Sequence, residues 1–139
     1  MSAAHAQIGE WLGVQIPAND ADLLSVVENR FSPEIINRLL KLGLGRGELD
    51  KVVIAARTLQ HRRSRREKLS VEESDRVLRI ARVLAAAENT YGSRERALEW
   101  LRTPIARLNN RSPLSLLTTE TGTRIVEETL TQIDEGMFV

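Results

Sequence analysis

Apolar residues recur along most of this chain at the three- and four-residue spacing of an α-helix, and almost nowhere in the alternation of a half-buried strand. The clearest stripe is Ile35, Ile36, Leu39 and Leu40. Ser32 stands at its cap, Pro33 at the first helical position and Gly43 at its stop. An earlier helix opens at Asn19-Asp20 and carries Leu23, Leu24, Val26 and Val27. Ahead of it, residues 1–18 show little periodicity and predict a loose arm. Glu48 to Val53 predicts a short helix, Val53-Ile54-Ala55 a tight turn, and Arg57 to Arg62 a second short helix with Leu59 turned inward. Ser70-Val71-Glu72-Glu73 has the form of a capping box and opens a helix through Ala87, with Val77, Ile80, Ala81 and Leu84 on one face. Ser93 caps a helix that Pro104 stops, and Asn109 to Pro113 predicts a turn that restarts a helix. A last helix, from about Gly122, repeats Ile125, Val126, Thr129, Leu130 and Ile133 until Gly136.

The fold class that follows is all-α. The organisation expected is an arm over 1–18, a helix-turn-helix bundle over 19–88 and a smaller helical domain over 89–139. A hydrophobic content of 42% in 139 residues is enough for the cores of one domain or two small ones.

Charge separates the chain into unlike parts. The formal net charge is +1, yet residues 31–82 carry 13 Lys and Arg against seven acids, a net of +6. Residues 112–139 carry Arg124 against Glu120, Glu127, Glu128, Asp134 and Glu135, a net of −4. Between Arg57 and Lys68 six cations face one acid. Arg, Gln, Thr and His are the side chains that bond phosphates and base edges, so this stretch predicts a nucleic-acid contact. The competing reading is a solvated basic face. Two short helices joined by a few residues, the second rich in Arg and Gln, form a helix-turn-helix pattern. The residues expected to meet DNA are Arg57, Thr58, Gln60, His61, Arg62, Arg63, Arg65 and Arg66. Arg76, Arg79 and Arg82 lie on the polar side of the following helix, either adding phosphate contacts or solvated.

Candidate chemistry is sparse. The chain has no cysteine, which excludes disulfides and thiolate metal sites and suits a reducing cytoplasm. His5 and His61 have no acidic or thiolate companions at ligand spacing, so neither a metal site nor a catalytic triad is expected. Gly43-Leu44-Gly45-Arg46-Gly47 has neither phosphate-loop spacing and follows a helix, so it predicts a turn. No apolar run is long enough to span a bilayer, and Met1 to His5 lacks the features of a signal peptide. The expectation is a non-enzymatic, cytoplasmic protein without cofactor. Met137-Phe138-Val139, three apolar residues past a glycine, point to partner contact.

Two segments resemble a known family. Arg57-Thr58-Leu59-Gln60-His61-Arg62, Lys68-Leu69-Ser70 and Glu73 to Val83 resemble the helix-turn-helix half of Xre/MbcA/ParS-type antitoxins of RES–Xre toxin–antitoxin systems. Ala97-Leu98-Glu99-Trp100-Leu101, Pro104, Leu108, Ser112-Pro113-Leu114, Leu116-Leu117, Thr119, Gly122, Val126, Leu130, Ile133 and Gly136 resemble that family's toxin-binding half. Three places depart from the pattern. Val53 stands where a glycine is common in the turn, Ala55 where serine often caps the second helix, and Asn109-Asn110 where glycines are frequent.

The resemblance implies an antitoxin that binds its operator DNA and forms a homodimer and a higher hetero-oligomer with a RES-domain, NAD-consuming toxin. It implies that the carboxyl-terminal region covers the toxin's active site, with Trp100, Arg111, Glu127, Asp134, Glu135, Gly136, Met137, Phe138 and Val139 as the contacts expected. The alternative is a stand-alone helix-turn-helix regulator whose last domain only dimerises.

Overall fold

The computed structural model describes residues 3–16 and 19–137. They form α1 (Ala3–Leu12), α2 (Asp20–Glu28), α3 (Glu34–Lys41), α4 (Arg46–Val52), α5 (Ala56–Ser64), α6 (Val71–Tyr91), α7 (Arg94–Arg102) and α8 (Glu120–Asp134). Two 3-10 helices, Ala106–Leu108 and Pro113–Thr118, lie between α7 and α8. The all-α expectation holds. Among the described residues there is no strand, only an isolated antiparallel bridge between Ile105 and Arg111. No described helix is long and apolar enough to cross a membrane.

The chain divides into two compact units, residues 1–82 and 83–139. The boundary falls inside α6, ahead of the break expected between 88 and 89. α6 crosses it without a glycine, proline or polar linker, so composition carries no mark of the division.

In the first unit the expected loose arm is corrected. Residues 3–12 form α1, which packs against α3 and buries Ile8, Trp11 and Leu12, followed by Ile16. These positions keep helical spacing; what hides them is that a single short turn of apolar residues gives a weak periodic signal. Gly13, at φ +68°, ends the helix, and Arg38 donates to the Glu10 carbonyl. α2 begins where expected, with the Asn19 side chain accepting from the Asp22 N–H at 2.9 Å. Its apolar face is less used than the pattern suggests: Val27 is buried and Leu24 is 59% exposed.

α3 buries Ile35, Ile36 and Leu39. It closes in a Schellman motif, with Gly43 N–H on the Leu40 carbonyl and Leu44 N–H on the Leu39 carbonyl. α4 starts at Arg46, ahead of the expected Glu48, because the Glu48 carboxylate reaches back to the Gly45 N–H at 2.7 Å.

The capping box at α6 forms as expected. Ser70 Oγ accepts from the Glu73 N–H at 3.0 Å, and Glu73 Oε1 accepts from the Ser70 N–H at 2.7 Å. The adjoining segment is latched to the α2–α3 connection. Ser74 Oγ accepts from the Phe31 N–H, Leu69 N–H donates to the Phe31 carbonyl, and Arg30 Nε donates to the Leu69 carbonyl. Ser74 is fully buried, so its bond with Phe31 is made away from water.

The second unit contains the end of α6, which runs to Tyr91 rather than Ala87, with α7 and α8. Leu84, Leu101, Leu117, Val126 and Leu130 are its innermost side chains. Residues 113–118 restart as a 3-10 helix rather than an α-helix, with Ser112 Oγ accepting from the Ser115 N–H. α8 begins at Glu120, before the expected Gly122, because Thr119 Oγ1 caps it through the Gly122 N–H at 2.9 Å. Gly122 serves a second purpose. A Cβ there would collide with the Leu116 carbonyl, a backbone atom that cannot yield as a flexible side chain would. Glycine at 122 is what lets α8 lie against the 3-10 helix.

Gly122→Ala should therefore destabilise the second unit by roughly 3 kcal/mol, at the upper end of overpacking effects. Thermal melting followed by circular dichroism checks this, and an unchanged midpoint would contradict the close approach. Glu73→Gln removes a buried carboxylate that also pairs with Arg62 at 3.1 Å. Breaking a fully buried pair removes roughly 3–5 kcal/mol, and the 28% exposure of Arg62 places the expected loss nearer 2 kcal/mol.

The pH dependence has a definite sign. Burial pushes the Glu73 carboxyl up, but the bonds from Arg62 and Ser70 outweigh it and hold it below its ordinary 4.5. Its contribution is full above 4.5 and is lost as pH falls through the lower, folded value. As pH falls below 4.5 the wild type should lose more stability than Glu73→Gln, measured as denaturant midpoints.

Candidate functional site

The helix-turn-helix pair is α4 and α5. Val53 occupies the turn with φ −115° and ψ −65°, right-handed backbone that demands no glycine. Its side chain is instead part of the core, 1% exposed. Val53 and Ile54 both donate to the Leu49 carbonyl, and Arg76 of α6 donates to the Val53 carbonyl at 3.4 Å. The turn is thus closed by backbone and by a following helix. The absent serine cap at Ala55 is also replaced: Asp50 Oδ1 accepts from the Ala56 N–H at 2.6 Å.

On α5, Leu59 turns inward as expected. Arg57, Gln60 and His61 share one exposed stripe at helical spacing, Arg63 is exposed beside it, and Thr58 is half-buried. Arg63 donates to Asn37 Oδ1 at 3.0 Å, a contact that orients the guanidinium without neutralising it. Arg65 is 73% exposed at its side chain and lies 4.0 Å from Glu67. Arg66 is exposed and held in left-handed backbone at φ +55°. It fills the place glycine usually takes after a helix, with its N–H on the Arg63 carbonyl and the Glu67 N–H on the Arg62 carbonyl.

Arg62 departs from the expected set. It donates through Nε and a terminal nitrogen to both oxygens of Glu73, at 3.1 and 3.2 Å, and pairs with Glu67 at 3.3 Å. Hydrogen bonding to Glu73 raises its affinity for its proton. A guanidinium held by two carboxylates is part of the scaffold and is withdrawn from phosphate, so the basic face consists of its neighbours. Arg79 is likewise paired, 3.5 Å from Asp75.

In the second unit, Trp100 is half-buried and its ring lies against Tyr91, centroids 5.8 Å apart at 33°. Burial, and then the charge of nearby Asp134, raises the Tyr91 phenol above its ordinary 10.0. Tyr91 is absent from the expected residues because nothing in its sequence surroundings links it to α8. Asn109 and Asn110, at φ +57° and +61°, both take left-handed backbone and supply the conformation the glycines of the pattern would give. Arg111 follows them, exposed, its carbonyl accepting from the Ile105 N–H at 3.1 Å.

On α8, Val126 and Leu130 are buried, Glu127 and Ile133 half-buried, and Ile125, Asp134 and Glu135 exposed. Gly136, at φ +75°, ends the helix. Met137 is 62% exposed, but its N–H bonds to the Gln132 carbonyl at 3.0 Å. A Schellman turn thus holds Met137 at the helix end, with the Gly136 N–H on the Ile133 carbonyl. Phe138 and Val139 lie outside the described residues. Among the described residues no cluster of His, Asp or Glu is arranged to hold a metal ion.

Comparison with known proteins matches both units. Residues 22–82 fit the family model of the antitoxin Xre-like helix-turn-helix domain, and residues 86–136 that of the antitoxin Xre/MbcA/ParS C-terminal toxin-binding domain. An antitoxin Xre of Pseudomonas putida is 34% identical over 131 residues, covering 94% of this chain and 82% of the relative. One from Yersinia enterocolitica is 33% identical over 132 residues, covering 92% and 89%. A Prs ADP-ribosylating antitoxin of a Sphingobium species is 29% identical over 98 residues, 64% of this chain and 62% of its own length. With two domain models placed in order along the chain and relatives matching nearly its full length, this protein belongs to the Xre antitoxin family.

Proposed function

We propose that this protein is the antitoxin of a type II toxin–antitoxin pair. It neutralises a RES-domain, NAD-consuming toxin by covering the active site with its carboxyl-terminal region, and it represses its own operon by binding operator DNA. The observation that carries the reading is the joining, in one chain, of an exposed basic α5 in a helix-turn-helix unit to a toxin-binding domain. It acts by occupancy, with no catalysis of its own, in the cytoplasm where its operon lies. The name of the Sphingobium relative speaks of ADP-ribosylation, a transfer that draws on NAD, and so agrees with NAD-linked toxin chemistry.

The DNA-reading set is Arg57, Thr58, Gln60 and His61 for bases, and Arg63, Arg65 and Arg66 for phosphates. A homodimer places two copies of α5 about 34 Å apart, one turn of duplex. The toxin-contacting set is Trp100, Arg111, Glu127, Asp134 and Glu135 with the tail Gly136 to Val139. These acids meet cationic residues that otherwise hold an anionic nucleotide. Assembly with the toxin gives a higher hetero-oligomer.

With Arg62 committed to Glu73, Arg63, Arg65 and Arg66 neutralise about three phosphates per subunit, for a log–log salt slope of about −3 per subunit. Arg65→Ala or Arg66→Ala should lower that slope and weaken all sequences alike. Arg57→Ala or Gln60→Ala should erode preference for operator over random duplex by roughly 1–3 kcal/mol per lost base contact. Retention of full operator binding by all four variants in fluorescence anisotropy would remove α5 from the interface.

Deletion of residues 136–139 should leave helicity and operator binding near wild type while releasing toxin activity in growth and NAD-depletion assays. A Phe or Met side chain seated in a partner pocket contributes roughly 1.5–3 kcal/mol before ordering costs. Neutralisation by the truncated chain at the wild-type ratio would shift the inhibitory contact to the surface around Trp100 and Arg111.

A further inference from the structure

The start of α5 is held by a contact that neither helix supplies alone. Ala55 precedes the helix in extended backbone, φ −61° and ψ 140°, and has no side-chain oxygen to accept from the first turn. Helix starts of this kind leave their first N–H groups to water or to an acceptor from elsewhere. Here the acceptor is Asp50, near the end of α4, whose Oδ1 takes the Ala56 N–H at 2.6 Å. The bond spans the turn and joins the two helices of the pair. Its length is that of a strong, charge-assisted bond, and the carboxylate sits at the positive end of the α5 dipole. Asp50 is exposed, on the same helix end from which Arg57 emerges.

We propose that Asp50 is a positioning residue for DNA reading. By capping α5 from α4 it fixes the direction in which Arg57 and Gln60 leave the helix. It also fills, with its own charge, the helix end that would otherwise attract a DNA phosphate. α5 therefore reads through side chains rather than through its terminal amides, and the Asp50 charge lowers affinity for every sequence alike. The inference rests on the DNA-binding function proposed above.

Three variants separate positioning from stability. Asp50→Asn keeps an oxygen acceptor and removes the charge. Asp50→Ala removes both. Asp50→Ala combined with Ala55→Ser restores a cap at the usual position without the tie to α4. Each full-length chain is titrated onto a duplex carrying the promoter of its own operon and onto a scrambled duplex of equal length, and each is melted without DNA. Asp50→Asn should bind both duplexes more tightly and keep the wild-type ratio between them. Asp50→Ala should lose roughly tenfold in that ratio, the worth of one displaced base contact. The double variant should regain the melting temperature but not the ratio.

An unchanged ratio in Asp50→Ala, its recovery with Ala55→Ser, or an equal loss in Asp50→Asn would overturn the proposal. If Asp50→Ala does not fold, the other two variants still decide between these outcomes. A wild-type chain that does not prefer the promoter duplex would instead overturn the DNA-binding reading, and this inference with it.

Discussion

The first unit depends on what one carboxylate does at the amino end of α6. Glu73 completes the capping box with Ser70, and the same two oxygens take the fork of Arg62 from α5. A helix start, a helix-to-helix tie and a buried charge are thereby settled by one group whose burial would otherwise be unfavourable. Because Arg62 lies in the last turn of α5, the pair holds the carboxyl end of that helix against α6. Ser74, one residue after Glu73, reaches the α2–α3 connection through Phe31. Losing Glu73 would loosen α5, the start of α6 and their junction together.

Around that anchor, α5 is constrained at three points by unlike means. Asp50 holds its start, Arg62 its last turn, and the left-handed Arg66 the exit from it. Left-handed backbone at a residue other than glycine is tolerated where the surrounding hydrogen bonds over-determine it, and here two successive N–H groups return to α5 carbonyls. The consequence for function is directional. A helix fixed at both ends and on its inner face holds in place the backbone from which Arg57, Gln60 and His61 project on the exposed side.

The second unit is marked by close backbone packing. Gly122 allows α8 to approach the 3-10 helix, Asn109 and Asn110 turn the chain through consecutive left-handed residues, and Tyr91 and Trp100 share a ring contact. Glu128 and Asp134 of α8 are exposed and Glu127 is half-buried, and the Schellman turn at Gly136 sets where the tail begins.

The sequence alone determined whatever is local. Stripes at helical spacing, the capping box at Ser70, the cap at Ser93 and the glycine stops at 43 and 136 depend on residues within a few positions of one another, and all are present. The basic stretch was legible as a charge count. Which cations remain available was not, because Arg62 and Glu73 are paired across eleven residues and two helices. The same holds for Asp50, whose bond to Ala56 matches no capping spacing, and for the Val53 turn, stabilised by Arg76 from α6. Burial of α1 needed the surface of α3 to exist before Trp11 and Leu12 had anything to pack on. Short-range order is encoded by neighbours in the chain, whereas partner choice among charged and apolar side chains is decided only when distant segments meet, and that is what separated the legible part from the rest.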